Sequence, residues 1–315
     1  MKNKVVVIGS YNTDLTIKTE RIPRPGETII GGIFSEGGGG KGANQAVAAA
    51  RAGADVSFIA RVGNDALGRV GVNRLIDEKI DTRFIFLDND VPTGVAFIVV
   101  DERGENSIVV ASGANARLSP SDIDTAQDEI FSAGVLLVQL ESPIEAIRAA
   151  IKKSHERDTI VILNPAPAQS LEQDLLQEID IITPNKVEAE MITGIKVTDE
   201  ESLRSIVKKF FEYGIKNVLI TLGSKGVFAG LPDIMKFIPA FKVSPIDSTG
   251  AGDVFSGSLA AFISEGMPIE KAIKLASASA SISVTRMGAQ RSAPDRMEIE
   301  NFIFTNSSSE ANVLN

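Results

Sequence analysis

The sequence predicts an α/β protein: a doubly wound, mostly parallel sheet flanked by helices, with a small β-sheet set outside it. Three observations carry this. Short β-branched runs alternate with amphipathic helical patterns, the runs are apolar at nearly every position, and two β-patterned segments without helix break the rhythm. Strands apolar on both faces are covered by helices on both sides, and alternating β and α units mark a parallel sheet.

The strand runs are Val5–Ile8, Val56–Ala60, Val135–Val138, Thr159–Leu163, Ile179–Thr183 and Val218–Thr221. Helical patterns such as Ala43–Ala52 and Ile144–Glu156 lie between them, with Gly53 and Gly214 placed to end helices. The first break, at about residues 13–36, holds Pro23, Pro25 and Gly26 between short alternating stretches. The second, at about 93–112, reads as a hairpin of Gly94–Val100 and Ser107–Ala111 joined by a polar turn. Together they are expected to form a lid or dimerisation surface inserted in a single domain of residues 1–304. The Ser/Asn-rich segment 305–315 is expected to be a flexible tail.

Composition removes whole classes of function. Hydrophobic residues are 43% of 315, enough for a real core, so global disorder is excluded. With 32 basic against 41 acidic residues the net charge is −9, which disfavours a nucleic-acid partner. There is no cysteine, so disulfides, thiol catalysis, zinc ribbons and iron–sulfur clusters drop out together. The only histidine, His155, falls in a helical pattern and is expected to face solvent, so no His-based triad or multi-His metal site exists. Met1–Lys4 before Val5–Gly9 has the outline of a signal peptide, but the apolar run is short and Asp14 follows at once; a buried first strand is expected. No apolar stretch approaches the roughly 18 residues of a membrane span. A soluble, cytoplasmic protein without a membrane partner is the expectation.

The run Gly37-Gly38-Gly39-Gly40-Lys41-Gly42-Ala43-Asn44 invites two labels that fail. A P-loop would need a glycine at Ser35 and a hydroxyl at Gly42. A dinucleotide fingerprint should leave the first core strand, but that strand leads into Gly9-Ser10-Tyr11-Asn12-Thr13-Asp14. What survives is the chemistry: glycines let backbone approach a ligand, and Asn44 falls in the first turn of the following helix. A flexible structural loop explains the glycines alone equally well. Asn12 and Asp14, two residues apart on an extended segment, project to one side at the carboxyl edge of a strand, where open sheets bind ligands. A carboxylate and an amide suit adjacent hydroxyls, although such residues also form turns. Glu141, in Gln139-Leu140-Glu141-Ser142-Pro143, shares that edge. Asn185 and Glu188 have capping-box spacing, compatible with a carboxylate that orients metal-bound water.

The strongest signal is Asp247-Ser248-Thr249-Gly250-Ala251-Gly252-Asp253 before an apolar helix. Glycines at a helix start leave N–H groups bare for the charge on a transferring phosphoryl group, with Asp253 in reach of an attacking hydroxyl. A lone Asp there would simply complement the helix dipole, which favours its ionised form and weakens it as a base; two preceding glycines ask for more. The small-residue helix Ala276–Ser283 permits close approach of another element or of a flat ring, and packing alone also accounts for it.

Together these motifs, with Pro25-Gly26-Glu27-Thr28 and Leu163-Asn164-Pro165-Ala166-Pro167-Ala168, resemble the ribokinase-type carbohydrate kinase family over nearly the whole chain. The resemblance implies Mg-ATP-dependent phosphorylation of a small sugar, with Asn12/Asp14, Asn44 and Glu141 pointing to ribose and its 5-hydroxyl. It implies that Asn12, Asp14, Gly40, Lys41, Asn44 and Glu141 hold the sugar, that Asp253 is the base, and that Gly250, Ala251 and Gly252 form the anion hole. Asn185, Thr221, Gly223, Ser224, Lys225, Gly226, Gly252 and Ser277 would meet the nucleotide, and Glu188 would serve Mg²⁺ indirectly. Asp247, Thr249, Ser283, Arg286, Gly288 and Ser292 would hold an activating K⁺, and the lid would form a homodimer contact. Two departures stand out: Ser277, where some members carry histidine or asparagine near adenine, and Lys186, which adds a positive charge near the phosphates. Rivals are a kinase of 2-deoxyribose, fructose or another ketose, a non-catalytic sugar or nucleotide sensor, and a nicotinamide dehydrogenase.

Overall fold

The structure, a computed structural model, describes residues 3–312. In chain order the elements begin with β1 (Lys4–Ile8), β2 (Asn12–Lys18), β3 (Ile33–Gly39), α1 (Lys41–Arg51), β4 (Asp55–Gly63), α2 (Ala66–Asp77) and β5 (Ile85–Asp88). The hairpin β6 (Gly94–Val100) and β7 (Asn106–Ala111) leads to α3 (Pro120–Thr125), α4 (Gln127–Ser132), β8 (Val135–Val138), α5 (Ile144–His155) and β9 (Ile160–Leu163). Then come α6 (Gln173–Leu176), β10 (Ile181–Ile182), α7 (Lys186–Thr193), α8 (Glu200–Glu212), β11 (Asn217–Thr221), β12 (Val227–Leu231) and β13 (Ile234–Ile238). The chain closes on α9 (Ala251–Ser264), α10 (Ile269–Ser283) and α11 (Arg296–Asn312).

The large sheet has nine strands in the order β13-β12-β11-β10-β9-β8-β1-β4-β5. Every pairing from β11 to β5 is parallel, and only the β11–β12 and β12–β13 pairings are antiparallel. Alternate residues of β1 feed two cores: Val5 and Val7 pack with α1, α9 and α10, while Val6 and Ile8 pack with α3, α4, α5 and α8. That two-sided burial is the predicted doubly wound arrangement. The chain leaves β1 toward β4 on one side and returns through β8 on the other, so the strand order reverses between β1 and β8. Crevices at such a reversal are where open α/β sheets bind ligands.

The second sheet, β3-β2-β6-β7, is separate from the large one and occupies the segments expected to form a lid. Its residues extend the expected segments slightly, because Gly37–Gly39 pair in register with Asp14, Thr13 and Asn12. The glycine run is therefore strand, not loop. Interior glycine weakens a strand but leaves room for close approach, and added Cβ atoms at Gly38 and Gly39 would stand 2.3 Å from Gln290 Oε1 and 2.1 Å from Asp14 Oδ1. α11 runs to Asn312 and so covers most of the segment 305–315 that is expected to be a flexible tail, and 313–315 lie outside the described residues. β5 at one edge and β12 and β13 at the other add to the strands that the apolar runs predict.

Candidate active site

β1 ends in Gly9 because backbone must pass backbone there. An added Cβ on Gly42 would stand 2.7 Å from Gly9 Cα, and one on Gly9 2.1 Å from Gln139 Oε1. The close passage brings the N-terminus of α1 against the β1–β2 junction, where Ala43 N–H donates to Ser10 O (2.9 Å). Gly40 caps α1 at φ 84°, a conformation that favours glycine. Lys41 N–H then donates to Glu141 Oε2 (3.0 Å), and Ser10 Oγ–H donates to the same oxygen. Helix α9 reaches α1 by the same device, since a Cβ on Gly257 would stand 2.3 Å from Gln45 O.

These approaches assemble the predicted sugar residues around Asp253. Asp253 is 7% exposed and accepts from Asn44 Nδ2 (2.9 Å) and Gln45 Nε2 (3.0 Å). Asn44 Oδ1 stays buried with no partner among the described residues, an acceptor held ready for a ligand donor. Asn12 Oδ1 accepts from Asn115 Nδ2 (2.8 Å), which leaves the Asn12 amide N–H groups for a ligand. Asp14 lies beside Gly39 with no hydrogen bond to a described residue.

Electrostatics couple the group. Burial, then Glu141 and Asp253, push the Asp14 carboxyl up to about 6. Burial also raises Asp253, with Lys41 foremost and then Asn44 and Gln45 working against it. The expectation that the helix end would favour its ionised form is corrected: desolvation dominates. Lys41 is opposed by burial but held above its ordinary value by Asp253, Glu141 and Glu188.

Gly250 caps α9 at φ 74° without a side-chain bond, and Val254 N–H to Gly250 O is the first helical bond. Ala251 N–H, expected in the anion hole, donates to Ser248 O (3.2 Å). The N–H groups of Gly252 and Asp253 carry no such bond, and an added Cβ at Gly252 meets nothing within 4 Å. Open space lies above bare donors.

The nucleotide and cation candidates fall nearby in part. A cleft of about 590 Å³ is lined by Asn185, Thr221, Gly223 and Lys225, together with Lys186, Asp199 and Phe237. Ser224, Gly226 and Ser277 do not line it. Gly226 is held at φ 97° where a Cβ would strike Ile238 O, and Ser277 Oγ is buried and unpartnered in α10. Lys186 turns toward Glu190 (3.8 Å). Glu188 forms the full capping box with Asn185, both oxygens engaged, and burial raises its carboxyl. Asp247 bridges two segments, accepting from Thr249 N–H (2.9 Å) and Gly288 N–H (2.8 Å). Burial opposes its ionisation, yet these bonds hold it below the ordinary range. Ser283 and Ser292 are buried with their hydroxyls bonded within their own turns, and the Arg286 guanidinium pairs with Glu298, so what Arg286 could offer a cation is its carbonyl.

Reading by motif gives no role to the supports: Ser10, Gln45, Gln139 and Asn164, which stand inside the motifs, and Asn115 and Arg51, which stand outside them. Arg51 NH1 donates to Gln290 O (3.2 Å) and Ala293 O (2.7 Å), tying α1 to the 286–293 loop. Gln45 and Arg51 are polar residues inside the apolar pattern of α1, a signal that says "buried and bonded" without saying to what.

An α/β scaffold that gathers buried polar side chains at its strand-order reversal, beside bare helix N–H groups, is the arrangement of a carbohydrate kinase. The family model described as pfkB family carbohydrate kinase matches residues 2–296, and the chain belongs to that family. It is 44% identical to the ribokinase of Haemophilus influenzae, over 96% of this chain and 99% of that protein. Identity to the ribokinase of Staphylococcus aureus is 41%, over 93% and 97%. The solved structure of Arabidopsis thaliana ribokinase complexed with ribose and ATP aligns with a TM-score of 0.90 at 32% identity, covering 96% of this chain and 99% of that one. No helix among the described residues is long and apolar enough to cross a membrane.

Proposed function

We propose that this chain transfers the γ-phosphoryl group of ATP to the 5-hydroxyl of D-ribose. The observation that carries the reading is the buried Asn44–Asp253 pair set against the bare N-terminus of α9. Asn12, Asp14, Lys41, Asn44 and Glu141 bind the sugar hydroxyls, the carboxylates as acceptors and the amides as either partner. Asp253 orients the 5-hydroxyl and takes its proton as the new P–O bond forms, its raised basicity suiting that task. The Gly252 and Asp253 N–H groups meet the charge on the phosphoryl oxygens.

Residues suited to two ions support the cofactor reading. Glu188, engaged by its cap, would reach Mg²⁺ through water, and the carbonyl-rich 283–292 segment bridged by Asp247 fits K⁺. Ions held by these residues would supply charge neutralisation, Mg²⁺ toward the phosphates and K⁺ near the Asp247 segment. The apolar outer face of the lid supports a homodimer, and an ATP-dependent chain without cysteine suits the cytoplasm.

The test is ADP release with Mg-ATP across ribose, 2-deoxyribose and fructose, with and without K⁺. Ribose should be preferred, because a site that bonds the 2-hydroxyl penalises its loss. Asp253→Asn should lose about 10²–10⁴ in kcat while keeping ribose affinity. Near-normal turnover in that variant, or no ADP release with ribose in the unaltered protein, defeats the proposal.

A further inference from the structure

Behind Asp253 lies a chain of buried amides. Gln139 Nε2 donates to Gln45 Oε1 (2.6 Å), and Gln45 Nε2 donates to Asn164 Oδ1 (2.9 Å) and Asp253 Oδ1 (3.0 Å). Asn164 Nδ2 in turn donates to Thr183 O (3.0 Å), beside the Thr183–Ser256 hydroxyl pair (2.9 Å). Gln45 is fully buried, Gln139 is 1% exposed and Asn164 is 6% exposed. Three elements supply them: α1, the end of β8 and the end of β9.

The bonds all run one way. A glutamine amide can present either end, and one facing Asp253 with its oxygen would repel the carboxylate. Here Gln139 supplies a donor to Gln45 Oε1 while Asn164 supplies an acceptor to Nε2, so both neighbours select the orientation in which Gln45 gives N–H to Asp253. Asn44 holds the other carboxylate oxygen, but its Oδ1 is buried without a partner among the described residues, and the proposed function assigns it to the sugar. Gln45 touches no ligand space.

We infer that Gln45, oriented by Gln139 and Asn164, is the positioning residue for Asp253, holding its carboxylate in place and ready to accept the hydroxyl proton. The inference rests on the kinase reading above. Other charged groups facing Asp253 are Lys41 on α1, Glu141 after β8, Asp14 on β2 and Glu188 on α7. None is altered by changing Gln45, so a shift in the pH profile reports this bond.

The experiment measures kcat and ribose KM from pH 5 to 9 for the unaltered protein, Gln45→Leu, Gln45→Glu and Gln139→Leu. Gln45→Leu removes one donor to a charged group, so the acid limb of kcat should move up by about one pH unit while KM stays within about twofold. Gln45→Glu keeps the shape and brings a second carboxylate against Asp253, so its limb should move at least as far. Gln139→Leu, which does not touch Asp253, should move the limb in the same direction by less, and it carries the test if both Gln45 variants fail to fold. Acid limbs at the position of the unaltered protein overturn the inference, whether kcat is kept or lost. If the unaltered protein releases no ADP with ribose, the kinase reading fails and takes the inference with it.

Discussion

Asp14 carries an electrostatic conflict of its own. Its carboxyl sits between burial and two other carboxylates, Glu141 and Asp253, and titrates at about 6 instead of 3.8. Because the native value lies above the unfolded one, the folded protein retains a proton through that interval and the unfolded chain does not. Stability therefore falls as pH rises from about 4 to about 6, and above that window ionised Asp14 is a standing cost. The same charge is what makes Asp14 a pure acceptor for sugar hydroxyls. Ribose KM should rise as pH drops through about 6, with this dependence absent in Asp14→Asn. That variant should melt at a higher temperature at pH 8 while its ribose KM increases by roughly 10- to 100-fold, the usual scale for a lost bond to a charged group. Calorimetric melting and ribose titration check the two halves separately; a variant that neither gains stability nor loses affinity would show that Asp14 stands outside the site.

Elements place these residues by letting backbone pass backbone. At Gly42 a Cβ would meet Gly9 Cα and carbonyl carbon at 2.7 Å, neither of which can rotate away, whereas at Gly37 it would meet nothing within 4 Å. Gly42→Ala should push α1 off the β1–β2 junction, costing about 1–3 kcal/mol of stability and raising ribose KM. Gly37→Ala should fold normally, and thermal melting of the two variants side by side checks the contrast. The sequence displayed Gly42 and Gly37 alike, as members of one glycine run, because composition does not encode which neighbour arrives from elsewhere in the chain. The parallel strands, the lid hairpin, and the placement of Asn12, Asp14, Glu141 and Asp253 at strand and helix ends were legible, since period and punctuation encode them locally. Gln45, Asn115 and Asn164 were not: the side chains they bond lie 94 residues or more away, and a lone buried amide looks the same whether or not it serves a site. Asp253 was legible as a catalytic candidate, but the sign of its shift was not, because the balance of burial against Lys41, Asn44 and Gln45 is a property of the assembled cluster.

At the scale of the molecule the lid presents a surface that the core does not need. Register places Ile17 opposite Phe34, Leu15 opposite Phe97, and Phe97 opposite Val109, so these side chains share one face. Asn12 and Asp14 alternate with them and belong to the other face, toward the crevice. Ile17 is 41% exposed, Phe34 62%, Phe97 55% and Val109 67%. A contiguous apolar face on a sheet whose outer strands β3 and β7 each pair on one side only is a surface that a partner should cover, and a second copy of the lid offers the same apolar chemistry. Light scattering should therefore return twice the 33.5 kDa chain mass, and Phe97→Asp, at the centre of the face, should return a single chain. Because β2 carries Asn12 and Asp14 on its reverse side, loosening the lid should also raise ribose KM without changing the thermal stability of the large sheet's core. A single-chain mass for the unaltered protein, or a Phe97→Asp protein that still pairs, would mean that this face serves something other than a second copy.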